Sequence, residues 1–308
     1  MALAFVFPGQ GSQSIGMMNG WADLAVVKAT FDEASAILGQ DLWQMVADGP
    51  SELLNATVNT QPLMLTAGVA VWRAWQAQGG TQPDVLAGHS LGEYSALVAA
   101  EALSFGDALQ LVRLRAEAMQ EAVPVGTGAM AAILGLADAE IIAACEEVAQ
   151  GDVVAAVNFN SPGQVVIAGS KAAVERACEA CKARGAKRAM LLPVSVPSHC
   201  ALMRPASDKL KQKLDTIVIN TPVIPVLHNA DVAAYSDAAQ IKDALVRQLY
   251  EPVRWVETIA KMANDGITVI AECGPGKVLA GLNKRIATEA QQVALVDAAA
   301  LQTLQAML

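Results

Sequence analysis

The 308-residue sequence predicts an α/β fold: a largely parallel sheet covered by helices on both faces, interrupted by a small α+β insertion. Three observations predict it. Short apolar runs bounded by glycine or proline alternate with longer runs of helical periodicity along most of the chain. Hydrophobic residues make up 54% of the chain and aromatics only 4%, a composition suited to alanine-rich helices packed closely on a sheet. Between residues 125 and 195 the order changes to β-α-β-β-α-β, the ferredoxin-like arrangement.

Residues 3–7 read as the first strand. It runs into Phe7-Pro8-Gly9-Gln10-Gly11-Ser12-Gln13, a glycine-rich loop whose free N–H groups could bind an anion or line an active site. The Gly-Lys-Ser/Thr of a phosphate-binding P-loop is missing. Residues 22–38 have a helical pattern. Thr60 is the expected N-cap of a helix with Pro62 in its first turn, running to Gly79-Gly80. Asp84–Ala87 is a strand, followed by helices over 94–100 and 105–121. Pro124-Val125-Gly126-Thr127-Gly128 reads as a linker. The insertion then comprises strand 129–134, helix 138–149, strands 153–158 and 164–168 about the turn Asn160-Ser161-Pro162-Gly163, helix 171–183 and strand 188–192. The remainder reads as helix 202–213, strand 223–228, helices 237–249 and 252–264, strand 267–272, the turn Gly274-Pro275-Gly276, helix 277–286 and a strand near 292–296. The expected division is a large domain of residues 1–124 and 196–308 with an inserted subdomain of residues 125–195.

Bulk properties exclude several functions. The formal net charge is −9, and no basic stripe with interleaved aromatics suggests nucleic-acid binding. No apolar run reaches the length of a membrane span. The start, Met1 to Phe7, reads as a strand and not a signal peptide, and the five cysteines are scattered, so a cytoplasmic location is expected. Cys178-x-x-Cys181 lies in a helical run with no second pair and no nearby histidine. A zinc site wants four ligands, and no metal is expected.

The chemistry centres on Gly88-His89-Ser90-Leu91-Gly92. Gly-x-Ser-x-Gly after a strand places a serine on a sharp bend at a helix start, where free N–H groups stabilise negative charge. An ordinary Gly/Ser turn has the same letters. Serine needs a base, and the chain has three histidines. His89 adjoins Ser90, but neighbours on such a bend project in different directions. His228 ends a strand. His199 follows the insertion, at a junction suited to a cleft, and is the candidate base. Arg115 and Arg113 lie on the helix after the serine. Either reads as a surface residue, whereas a buried arginine facing the cleft would hold a carboxylate through two hydrogen bonds.

Taken together, these stretches resemble the malonyl-CoA:acyl carrier protein transacylases of bacterial fatty-acid synthesis. The matching segments include Phe7–Gln13, Thr60-Gln61-Pro62, Gly88–Glu93, Arg115, Gly126–Met130, Asn158–Gln164, Val196–His199, Arg247-Gln248-Leu249 and Gly274–Leu279. The resemblance implies an α/β-hydrolase-like large domain with a ferredoxin-like insertion. It makes Ser90 the nucleophile, His199 its base, the Gln248 carbonyl the group that orients the histidine, and the backbone N–H groups of Gln10 and Leu91 the oxyanion hole. Arg115 matches the residue that pairs with the malonyl carboxylate. The implied reaction passes malonyl from malonyl-CoA, a CoA thioester, through a malonyl-serine to the phosphopantetheine thiol of acyl carrier protein, with no cofactor and with the chain acting as a monomer. Two basic clusters could dock an acidic carrier: Lys182, Arg184, Lys187 and Arg188, or Lys284 and Arg285. The alternatives are a serine thioesterase or esterase on the same scaffold, a non-catalytic carrier-binding subunit, and a stand-alone acyltransferase serving polyketide synthesis.

Overall fold

The computed structural model describes residues 1–194 and 196–308; Ser195, the last residue of the expected insertion, lies outside the described residues. The first part of the chain comprises β1 (Leu3–Phe7), α1 (Ala25–Leu38), α2 (Leu42–Asp48), α3 (Ser51–Asn55), α4 (Thr57–Ala77), β2 (Val85–Gly88), α5 (Gly92–Ala99) and α6 (Phe105–Ala122). Next come β3 (Gly128–Leu134), α7 (Asp138–Val148), β4 (Val154–Ser161), β5 (Gln164–Ser170), α8 (Lys171–Ala183) and β6 (Arg188–Leu191). The last part holds α9 (Arg204–Asp215), β7 (Val226–Leu227), α10 (Ala238–Gln248), α11 (Trp255–Asn264), β8 (Val269–Cys273), α12 (Val278–Asn283), β9 (Gln291–Leu295) and α13 (Ala298–Met307).

Sheet A has the order β7-β2-β1-β8-β9, every pair parallel. All five residues of β1 are buried because successive side chains enter opposite layers. Leu3, Phe5 and Phe7 join one core with residues of α1, α4, α5 and α6. Ala4 and Val6 join another with Trp255 and Ile259 of α11 and with Leu279 of α12. Sheet B is antiparallel in the order β4-β5-β3-β6, and α7 and α8 pack on one face over a core of Ile133, Ile141, Val165, Ile167 and Val174. Cys178 and Cys181 belong to that core. Burial pushes the Cys178 thiol up to about 11, so the pair packs as small apolar side chains. The insertion is pinned to the segment between α10 and α11 by Phe159 N–H to the Val253 carbonyl (3.0 Å) and Val253 N–H to the Val157 carbonyl (2.8 Å). Among the described residues no helix is long and apolar enough to cross a membrane.

Several elements differ from expectation. Helix α4 starts at Thr57, capped by Ala56, so Thr60 is no N-cap. Its hydroxyl donates back to the Leu54 and Ala56 carbonyls, the bonding of a mid-helix threonine, and Pro62 lies in the helix interior. The strand expected over 223–228 is reduced to Val226–Leu227. Helices α2, α3 and α13 have no counterpart in the sequence reading.

Glu272, on β8, is fully buried and accepts N–H bonds from Leu279 (3.1 Å) and Ala280 (2.8 Å) at the start of α12. Burial pushes its carboxyl up to about 7, against the pull of those donors. The folded state therefore holds this proton more tightly than the unfolded chain does. That contribution to stability is present below the unfolded value and is lost as pH rises through about 7. Between about pH 4.5 and about pH 8 the unfolding free energy of the native chain should fall by ~3 kcal/mol more than that of Glu272→Gln. Parallel urea-melt pH profiles would refute this.

Candidate active site

The bend after β2 is built by contact with β1. A Cβ on Gly92 would lie 2.0 Å from the Phe7 carbonyl oxygen, and one on Gly88 would lie 1.9 Å from the Gly92 carbonyl carbon. Only glycine fits either place. Between them Ser90 takes φ +51°, a left-handed conformation that a non-glycine residue adopts at a cost of ~1–3 kcal/mol. The surrounding bonds enforce it: Asn229 Oδ1 accepts the Ser90 N–H (2.7 Å), and Asn229 Nδ2 donates to the Gly88 carbonyl (2.6 Å).

His199 meets the serine from the other side of the chain, 109 residues later. It too has a positive φ, +65°, and its N–H donates to the Leu249 carbonyl at 3.0 Å. Its Nε2 lies 2.7 Å from Ser90 Oγ, and its Nδ1 lies 2.7 Å from the Gln248 carbonyl oxygen. A carbonyl can only accept, so Nδ1 carries the hydrogen and Nε2 presents a lone pair to the serine. Burial, with the nearby Arg115 cation, pushes the imidazole down to about 3, so the ring is neutral across the physiological range.

Arg115 reaches this point from α6 and is 1% exposed. Its guanidinium donates to Gln61 Oε1 (2.8 Å), Gln248 Oε1 (3.2 Å) and Ser90 Oγ (3.3 Å). Burial lowers its pKa. Arg113, half-buried, turns elsewhere and bonds Gln40. The Gln10 and Leu91 N–H groups have no hydrogen-bond partner among the described residues. Both residues line a cleft of about 360 Å³ with Ser90, Arg115 and His199, walled on the far side by Met130 and Asn158 of the insertion. The loop carrying Gln10 lies tight on the bend: a Cβ on Gly9 would come 2.5 Å from the His89 carbonyl oxygen.

Five of the six candidate residues thus line one cleft, and Gln248 sits behind it, bonded to His199 and Arg115. His89 packs on Trp255 and bonds Asn160 Oδ1 (2.7 Å). His228 is buried against Glu93 (2.7 Å). Sequence reasoning missed Asn229 and Gln61, which hold Ser90 and Arg115, and the buried carboxylate of Glu93. Gln61 and Glu93 lie inside recognised segments; nothing local marks Asn229. Of the basic clusters, Lys182 pairs with Glu179, and Arg184 pairs with Glu140 and Glu147. Lys284 and Arg285 have no carboxylate partner among the described residues, and Arg285 bonds Gln164 of the insertion.

Comparison with known proteins places this arrangement. Residues 4–303 match the acyl transferase domain family. The chain is 60% identical over 299 residues to the malonyl CoA-acyl carrier protein transacylase of Salmonella typhimurium, covering 97% of each. The chain belongs to the malonyl CoA-acyl carrier protein transacylase family. The Bacillus subtilis transacylase is 47% identical over 96% of this chain and 93% of its own. Among solved structures, an acyl carrier protein S-malonyltransferase from Vibrio cholerae superposes with a TM-score of 0.97 at 58% identity, covering 99% of this chain and all of that one. A malonyl-transacylase in complex with its type II PKS acyl-carrier protein matches with a TM-score of 0.99 at 55% identity over the whole of both chains. The transacylase fold is therefore the two-part α/β architecture described above.

Proposed function

We propose that this transacylase moves a malonyl group from malonyl-CoA to the phosphopantetheine thiol of an acyl carrier protein through an ester on Ser90. The observation that carries the reading is the contact of Ser90 Oγ with both His199 Nε2 (2.7 Å) and the buried Arg115 guanidinium (3.3 Å). His199 Nε2 takes the hydroxyl proton as Oγ attacks the thioester carbonyl. The Gln10 N–H, from the loop after β1, and the Leu91 N–H, at the start of α5, both without a partner among the described residues, stabilise the tetrahedral oxyanion, worth about 3 kcal/mol per donor. The C–S bond breaks, the CoA sulfur leaves with the proton from His199, and malonyl-Ser90 remains. The carrier thiol then gives its proton to His199, attacks the ester and restores the serine. Arg115 pairs with the free carboxylate and holds the reacting carbonyl in register.

The reaction needs no cofactor because the thioester supplies the leaving group. Every group it uses comes from one chain, which supports a monomeric enzyme. Among the described residues Lys284, Arg285, Lys187 and Arg188 have no carboxylate partner, and they suit an acidic carrier better than the ion-paired Lys182 and Arg184. The partner of the type II PKS relative favours a second reading, in which the carrier belongs to polyketide synthesis; the chemistry is unchanged.

Incubation with malonyl-CoA alone, followed by digestion and mass spectrometry, should find malonyl on Ser90. Adding fatty-acid or polyketide holo-carrier should clear it and malonylate the carrier that the enzyme serves. Release of free malonate instead would make the chain a thioesterase. No adduct at all would leave a non-catalytic carrier-binding subunit.

A further inference from the structure

Beyond its backbone contact with His199, Gln248 has a side chain in an unusual place. Its Nε2 donates to Glu93 Oε2 (3.0 Å) and to the Ser90 carbonyl (2.9 Å), while its Oε1 accepts from Arg115 (3.2 Å). Glu93 is 0% exposed, and its carboxylate also takes His228 Nδ1 (2.7 Å) and the Asn229 N–H (2.9 Å). We propose that the Gln248 side chain determines acyl selectivity: a neutral amide interposed between the Glu93 carboxylate and the Arg115 guanidinium, it leaves that buried cation without a counter-anion until the substrate's carboxylate arrives.

The argument rests on the malonyl-transfer reading above. The hydrogen bonds of Arg115 reach only neutral oxygens, those of Gln61, Gln248 and Ser90, its guanidinium faces the Tyr94 ring at 5.6 Å, and no carboxylate among the described residues lies within 4.0 Å of it. Its Nε is buried with no partner among the described residues, a spare donor on an unsatisfied cation. A buried charge without a partner is costly, and an incoming carboxylate relieves that cost. A carboxylate already seated on Arg115 would remove the incentive and would have to be displaced.

Glu93 is the nearest threat, and the surrounding bonds disarm it. Three donors, Gln248 Nε2, His228 Nδ1 and the Asn229 N–H, occupy its oxygens. Gln248 cannot turn over to bring its amide nitrogen to the guanidinium, because Nε2 is claimed by two acceptors. The amide thus transmits the fixed position of Glu93 as an oriented dipole while keeping its charge one side chain away. Gln248 is a positioning residue here: it acts on the substrate through Arg115.

The test is the ratio of kcat/KM for malonyl-CoA to kcat/KM for acetyl-CoA, which a general loss of structure does not move in one direction. The double variant Glu93→Gln/Gln248→Glu shifts the negative charge one residue closer to Arg115 without changing net charge. It should lower the ratio about tenfold or more, since Arg115 is then neutralised in the empty site. Gln248→Glu alone should lower it likewise and serves if the double variant does not melt cooperatively. Glu93→Gln, which moves no anion onto Arg115, should hold the ratio within about threefold of the native value. An unchanged ratio in folded Gln248→Glu or in the double variant overturns the proposal, as does a tenfold fall in Glu93→Gln. A native enzyme that loads no malonyl would instead overturn the functional reading beneath it.

Discussion

Replacing Arg115 with alanine is expected to lower kcat/KM for malonyl-CoA by about a thousandfold, while acetyl-CoA loses less than about tenfold or gains. The asymmetry comes from the site itself. Malonyl must bring a carboxylate into a place where Gln61, Gln248 and Ser90 offer no countercharge, and an unpaired carboxylate in that cleft is far more costly than a lost contact to a methyl group. Acetyl brings no charge and does not need the cation. The variant also removes the positive charge that helps hold His199 low, so its imidazole moves back toward its ordinary value. Burst measurements of acyl-Ser90 with the two thioesters separate these effects. Equal losses for both would remove Arg115 from any part in selectivity.

Substitution of His199 by alanine should slow acyl-Ser90 formation by about 10⁴-fold, equally for malonyl and acetyl, because it removes the proton acceptor and leaves the carboxylate site intact. The pH profile of the native enzyme should carry the same signature. With the imidazole held down to about 3, the acid limb of kcat/KM lies well below the ordinary histidine value, and loading is level between about pH 5 and about pH 8. In Arg115→Ala the limb should move part of the way back up, with burial, the larger cause, still in place. Stability follows in sign: the folded imidazole resists a proton that the unfolded chain accepts. The contribution is present above about 6.5 and is lost as pH falls toward about 3. A native acid limb already at about 6.5 would mean that burial does not govern this group.

What could be read beforehand follows from what local sequence controls. The Ser90 bend was legible because two glycines are the only residues that β1 and the bend itself admit at 88 and 92. The insertion was legible because its elements are contiguous and short apolar runs are separated by strong turn residues such as Asn160-Ser161-Pro162-Gly163. Helices α2 and α13 were missed although both start at an aspartate whose side chain caps the first turn, Asp41 to Gln44 N–H and Asp297 to Ala300 N–H. That signal was available and went unused. The start of α4 was misplaced because Thr60 and Pro62 look like a cap and a first turn, while Ala56 carries no mark of the true one. Within the site, Asn229 and the Glu93 network were out of reach: hydrogen bonds spanning 139 and 155 residues leave no pattern in a local window. Of the cluster Lys182, Arg184, Lys187 and Arg188, the pairing of Arg184 was out of reach because Glu140 and Glu147 lie on α7, some forty residues away.

The strand order of sheet A bears on how the chain comes into being. On a ribosome, β1 and β2 emerge early and can pair, but the other neighbour of β1 is β8, which begins at Val269. Most of the polypeptide must be made before that edge is covered, and an uncovered apolar strand invites aggregation. The contiguous insertion β3 to β6 can fold meanwhile on its own contacts. Catalysis waits as well: a nascent chain that has released Ser90 has no base until His199 follows and no orienting carbonyl until Gln248 does. On the proposed mechanism unfinished copies are expected to capture no acyl groups, and in vivo the exposed β1 edge, more than the active site, is the point at which a chaperone would be needed.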